Sequence, residues 1–167
     1  ITMKTVSFPN SLKTIGSYAF RLCDKLEYIV IPKTVKSMGM GVFEGCSYLE
    51  TAIIYGGVKE SPEQAFGGCS KLKTVAIGTG VEVIGKSSFA TCTSLENIIF
   101  SNTVKVIENS AFYWSGSIKE LFLPISIEYI GQWAFEDCGL EAIYYPGTDD
   151  KLPDIAGDDA KKTPDNM

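Results

Sequence analysis

The stretch LEYIVIPKTVKSMGMGVFEGC, residues 26–46, decides the fold. Leu26, Ile29 and Ile31 alternate with Tyr28 and Val30, the pattern of a strand with one face buried. Pro32 follows and ends that strand, because it has no N–H to continue a ladder. Val35, Met38 and Gly39 then form a second short extended piece closed by a turn residue. Phe43 and Cys46 close the unit in a segment too short for a helix, which reads as a tight or 3₁₀-like turn.

Outward from this unit the same phases return every 23 residues. Phe20, Phe43, Phe66, Phe89, Phe112 and Phe135 share one phase. Cys23, Cys46, Cys69, Cys92 and Cys138 share another, with Ser115 in the missing place. Leu26, Leu49, Leu72, Leu95 and Ile118 lead the strands, and Val35, Val58, Val81, Val104 and Ile127 lead the second segments. A period of this length with L-x-x-I-x-I lies in the leucine-rich-repeat range. The fold expected is a right-handed repeat solenoid of about six 23-residue coils, with a parallel β-sheet on one face and few or no long helices. One coil cannot cover its own apolar side chains, so stability belongs to the stack. Seven in-register strands about 4.8 Å apart would make an array roughly 30 Å long.

The 167 residues carry 15 Lys+Arg against 20 Asp+Glu, five Cys and no His. Without His there is no Ser-His-Asp or Cys-His pair and no His-ligated zinc or haem. The net charge of −5 argues against nucleic acid and anionic membrane as partners. No apolar run reaches the roughly 20 residues that span a bilayer, so no membrane insertion is expected of this piece. The chain begins at Ile1, inside a repeat, and reads as part of a longer protein.

The quoted unit resembles the BspA-like, or treponemal-type, leucine-rich repeat family, and the resemblance runs from residue 3 to about 146. The YYPGTDD stretch resembles the segment that closes such arrays in gut bacteria. The resemblance implies a bacterial cell-surface or secreted protein with an adhesive role and a protein ligand, host extracellular or surface proteins among them. Three departures stand out. Ser61-Pro62 replaces Ile-Gly, which should distort that second segment; Glu108 and Ser115 replace Gly and Cys; and Cys138-Gly139-Leu140 is one residue short, tightening the turn into the last strand.

Residues 1–146 are therefore expected to form the solenoid and 147–167 a C-terminal cap and loose tail, with Leu152 and Ile155 over the last coil. Five Cys invite disulfides, but equivalent positions in a solenoid carry parallel Cβ vectors, which suits the bond poorly. A ladder of buried thiols is the better reading. Glu136-Asp137, Asp149-Asp150 and Asp158-Asp159 are sequence neighbours, which rarely converge on one substrate. Glu27, Glu50, Glu96 and Glu141 interleave with Lys4, Lys73 and Lys119 as a solvated stripe. No D-x-D-x-D-G loop and no phosphate loop occurs, so neither metal nor cofactor is expected.

One feature departs from a solvated array. The outward strand phase reads Ser7, Val30, Ile53, Ala76, Ile99, Phe122 and Tyr144, with Tyr28 and Tyr55 close by. Stacked strands would bring these into one continuous apolar column, of a size that marks interaction surfaces. Tyr28, Val30, Ile53, Tyr55, Ile99, Phe122 and Tyr144 are thus the expected protein-binding surface. The alternatives are plain β-propensity or cover by a neighbouring domain. Tyr113, Trp114 and Trp133 form a second cluster, with Trp114 expected to fill the gap at the altered turn rather than to serve as a sugar platform. The function expected is a non-enzymatic binding or adhesion module. A structural spacer is the alternative, and a carboxylate-based hydrolase a distant third.

Overall fold

The computed structural model describes residues 3–148. Each coil contributes one longer strand and one two-residue strand, both pairing in parallel with their counterparts one period away. The longer strands are β2 (Tyr28–Ile31), β4 (Thr51–Ile54), β6 (Thr74–Ile77), β8 (Asn97–Phe100), β10 (Glu120–Phe122) and β12 (Ala142–Tyr144). The short ones are β1 (Thr14–Ile15), β3 (Ser37–Met38), β5 (Glu60–Ser61), β7 (Val83–Ile84), β9 (Val106–Ile107) and β11 (Tyr129–Ile130). No helix occurs among the described residues. At the N-terminal end the first coil carries β1 and, where a seventh longer strand is expected, a single parallel bridge from Thr5 to Tyr28.

The core is the repeat made solid. Leu26, Ile29, Ile31, Val35 and most of their periodic equivalents are almost wholly buried. From Phe20 to Phe135 the rings form one stack, with centroids 5.1–5.3 Å apart and planes within 15°. All five cysteines are free and buried. Cys46, Cys69, Cys92 and Cys138 each donate from Sγ to the carbonyl of the Phe in the preceding coil, Phe20, Phe43, Phe66 and Phe112. Ser115 makes the same bond to Phe89, at 2.9 Å. The phase therefore selects a small side chain that donates to a buried carbonyl, and thiol and hydroxyl both qualify.

Neither ladder is unbroken, and each break has its own setting. Gly39, Gly85, Glu108 and Gly131 donate N–H to the carbonyls of Ile15, Ser61, Ile84 and Ile107. Pro62 holds this position in the third coil and has no proton to give Met38. The short strands accordingly divide into β1–β3 and β5–β7–β9–β11. The Ser61 segment itself stays extended, so the expected distortion is a cut in the ladder rather than a lost strand. Ser61 is buried where other coils carry Ile or Met, and its hydroxyl pairs with buried Ser88 at 2.5 Å. The longer strands divide between β8 and β10. There Phe100 replaces the smaller Ile of earlier coils and meets Phe112 edge-on, leaving Ile98 and Phe100 half-buried.

The segment after each short strand is a tight turn, the first of the two forms expected, and not a 3₁₀ helix. Half of its N–H groups do bond three residues back, as from Arg21 to Tyr18 and from Cys23 to Phe20. The others, at Tyr18, Phe20 and Leu22, donate to Met40, Val42 and Glu44 of the next coil, and the pattern repeats along the array. Two positions per turn take positive φ to aim those groups, filled by Tyr18 and Leu22, Gln64 and Gly68, Ser87 and Thr91, Ser110 and Trp114, and Trp133 and Asp137. The glycines at the period's Gly phase do not have this φ. Gly39 and Gly131 are required by close approach, since a Cβ would fall 2.2 Å from the Ser17 backbone and 2.4 Å from Asn109. Gly139, at φ +69, absorbs the missing residue and lets β12 pair in register with β10. The cap expected at Leu152 and Ile155, with the rest of the tail from residue 149, lies outside the described residues.

Candidate functional site

The outward face of the longer strands holds Tyr28, Val30, Ile53, Ile99, Phe122 and Tyr144, and Tyr55 directly follows β4. Val30, Ile53, Ala76 and Ile99 are direct partners in the β2–β4–β6–β8 register. Phe122 and Tyr144 are partners in β10–β12. The single continuous ladder expected is therefore divided after Ile99, at the break beside Phe100. Exposure divides too. Val30 and Ile53 are half-buried, whereas Ile99, Phe122 and Tyr144 are 58%, 59% and 41% exposed. Phe122 and Tyr144 stack at 4.7 Å with planes 11° apart, which rigidifies both rings. The Tyr144 hydroxyl donates to Glu120, and that carboxylate raises the phenol above its ordinary pKa.

At the other end, Tyr28 and Tyr55 are exposed. Val30 and Tyr55 form a wall of an open groove of about 530 Å³, completed by Asn10, Pro32, Lys33, Thr34, Gly56 and Thr79. The expected surface did not include these last six. Their signal was partly present, since Asn10, Lys33, Gly56 and Thr79 share one phase. A glycine beside a tyrosine and a lysine leaves space that no hydrophobic pattern reports. Thr34 Oγ1 is buried there without a hydrogen-bond partner. Its counterparts Thr103 and Ser126 donate to the carbonyls of Val81 and Val104.

The second aromatic cluster overturns one expectation. Ser115 is fully buried and bonded, so the altered turn leaves no gap, and Trp114 lies outside it, 54% exposed. Trp114 Nε1–H donates to Asp137 of the next coil, and its ring runs near-parallel to Tyr113, with centroids 6.0 Å apart. Trp133 is also 54% exposed, on the same side of the array.

The polar groups are arranged for stacking. Lys4–Glu27, Lys73–Glu50 and Lys119–Glu141 pair across adjacent coils at 2.7–3.2 Å, all solvent-exposed. Glu82 lies between Lys59 and Lys105, and the two cations lower its pKa. Burial pushes the thiols of Cys92 and Cys138 up to about 12, the opposite of an activated nucleophile. Among the described residues no group of three or more His, Cys, Asp or Glu could hold a metal ion, and no helix is long and apolar enough to cross a membrane.

A family model described as BspA type leucine rich repeat region matches six copies, over residues 1–119 and 58–156. The chain belongs to the BspA-type leucine-rich repeat family. Its fold is that of solved bacterial relatives. A leucine-rich repeat protein from Eubacterium ventriosum is 29% identical, with a TM-score of 0.80 over 86% of this chain and 38% of that one. The T. pallidum leucine-rich repeat protein is 28% identical, with a TM-score of 0.69 over 78% and 62%. A leucine-rich cell surface protein from Faecalibacterium prausnitzii is 27% identical, with a TM-score of 0.58 over 80% and 42%. The array thus spans well under half the length of the first of these. No curated protein matches it. Leucine-rich repeat arrays of this kind present a fold suited to protein–protein interaction.

Proposed function

We propose that this array is a non-enzymatic binding module of a cell-surface or secreted protein, and that it engages a protein ligand through the outward face of its longer strands. The observation that carries the reading is the exposed apolar cluster of Ile99, Phe122 and Tyr144 on rigid strands. Large side chains already fixed by stacking lose little entropy on binding, and hot spots favour them. The cell-surface relative supports the location, and the family supports the class of partner. Val30, Ile53, Tyr28 and Tyr55 extend the surface toward the groove.

The test is a pull-down from an extracellular-matrix extract with the parent chain and with Ile99→Ser/Phe122→Ser. Both side chains lie on the water side, so the variant should keep its unfolding midpoint nearly unchanged while losing the parent's captured protein. A variant that captures the same protein as well as the parent does would remove the strand face as the site.

A further inference from the structure

Charge is not spread evenly along the chain. Residues 1–40 carry six Lys+Arg against two Asp+Glu, whereas residues 41–167 carry nine against eighteen. Elsewhere in the array cations are neutralised from coil to coil, as Lys59 and Lys105 are by Glu82. Lys13, Lys33 and Lys36 differ, since no ion pair among the described residues involves any of them. They are gathered at one place in the fold. Lys36 Nζ donates to the carbonyl of Lys33 at 3.1 Å, and its backbone N–H donates to the carbonyl of Lys13 at 2.8 Å.

These cations border the groove. Lys33 lines it with Asn10 and Thr34, and Val30, Pro32 and Tyr55 give it an apolar wall. Its shape is set by the backbone. A Cβ at Gly56 would collide with the Thr79 carbonyl, and one at Gly57 with the carbonyls of Val35 and Lys33. The loop of the third coil is therefore drawn in against both neighbouring coils, and Gly56 has no side chain to fill the space. Thr34 adds a buried hydroxyl that finds no partner within the chain. Cations gathered without counter-charges repel one another and attract an anion. The wall sets a second requirement, an apolar side chain to cover it. A sulfated glycan meets the first requirement alone, whereas a peptide that alternates carboxylates with large apolar residues meets both. We propose that the groove docks an acidic peptide segment of a partner protein, its carboxylates on Lys33 and Lys36 and an apolar side chain against Tyr55. This deepens, and rests on, the reading of the array as a protein-binding module, since Val30 and Tyr55 belong to both surfaces.

The probe is an immobilised array of octapeptides in which Asp or Glu alternates with Phe, Tyr, Leu or Val, beside sign-inverted copies carrying Lys. The whole chain should bind acidic members and none of the inverted ones, with affinity falling as salt is raised. Lys33→Glu reverses the charge of an exposed side chain, so the fold should be kept. Its affinity for the best acidic octapeptide in solution should fall about tenfold or more. Absence of binding to every acidic octapeptide overturns the proposal, as does undiminished affinity in a folded Lys33→Glu. If that variant fails to fold, Lys36→Glu is measured in its place, and unchanged affinity counts against the groove in the same way. Heparin is run in parallel, and capture of heparin without any acidic octapeptide overturns the peptide as occupant. The variant Ile99→Ser/Phe122→Ser should bind the octapeptides as the parent does. If it also keeps the parent's captured protein while Lys33→Glu loses the octapeptides, the strand-face site fails and the groove stands.

Discussion

The strand side and the turn side of each coil do the same work by different backbone chemistry, and the difference decides what each side can be asked to do. On the strand side every residue is extended, so alternation sends Ile29 and Ile31 inward and Val30 outward without exception. On the turn side, left-handed residues at two positions per coil aim N–H groups at the next coil. The strand side therefore presents side chains at a fixed pitch and can build a broad apolar face. The turn side presents isolated side chains at strained positions, each able to be a glycine at little cost. A large residue found there asks for a reason, whereas on the strand face β-propensity already favours one.

The inside of the turn side is its most regular part, and emptying it should have the largest effect. Phe89→Ala removes a fully buried ring stacked on Phe66 and Phe112 and should cost about 3–5 kcal/mol. Phe20→Ala should cost less, because Phe20 is half-buried, with Phe43 stacked on one side and only the edge of Phe8 on the other. Urea titrations of the two variants measure the gap. Equal losses would mean that the end coil is held as firmly as the centre and that the array is not quasi-one-dimensional.

Alkaline pH attacks the same side next. Burial raises the thiols of Cys92 and Cys138 from 9.0 to about 12, so the folded state favours the protonated form. For a raised pKa the stabilising share is complete below about pH 9 and is lost progressively as pH climbs toward 12. Urea midpoints should hold to about pH 8 and fall by pH 10.5, and the Cys92→Ser variant should fall less steeply, because its hydroxyl does not ionise. A thiol reagent should label all five cysteines slowly in the native protein and fast in denaturant. Midpoints as flat for the parent as for Cys92→Ser would show that water reaches the thiol.

The smallest effect sharpens the comparison most, because one substitution should have opposite signs on the two sides. Gln64→Gly, at an exposed turn position with φ 54, should raise stability by about 0.5–1 kcal/mol, the left-handed penalty less the added chain entropy. Thr74→Gly, on the central strand β6, should lower it by about 0.5–1 kcal/mol. Thermal melts of the pair test the contrast, and two losses of similar size would deny it.

The period alone carried the coils, the inward set and the thiol phase, because each of these is a side-chain pattern set by strand alternation and by stacking. Ser115 was legible as a polar filler, and its bond to the Phe89 carbonyl explains why thiol and hydroxyl interchange. The members of the strand-face surface were legible for the same reason. Their unequal exposure and the ladder break beside Phe100 were not, since no outward residue records either.

By itself the sequence determined which residues face each other from coil to coil, because a period fixes neighbours at 23-residue separation before any backbone angle is known. Only the tertiary structure decided where the ladders part and which turn residues are left-handed. Those outcomes depend on N–H groups finding carbonyls one coil away. Pro62 shows the dependence at its simplest. In sequence it is one substitution among several, and in the stack it is the missing proton opposite Met38 that divides the short-strand ladder in two.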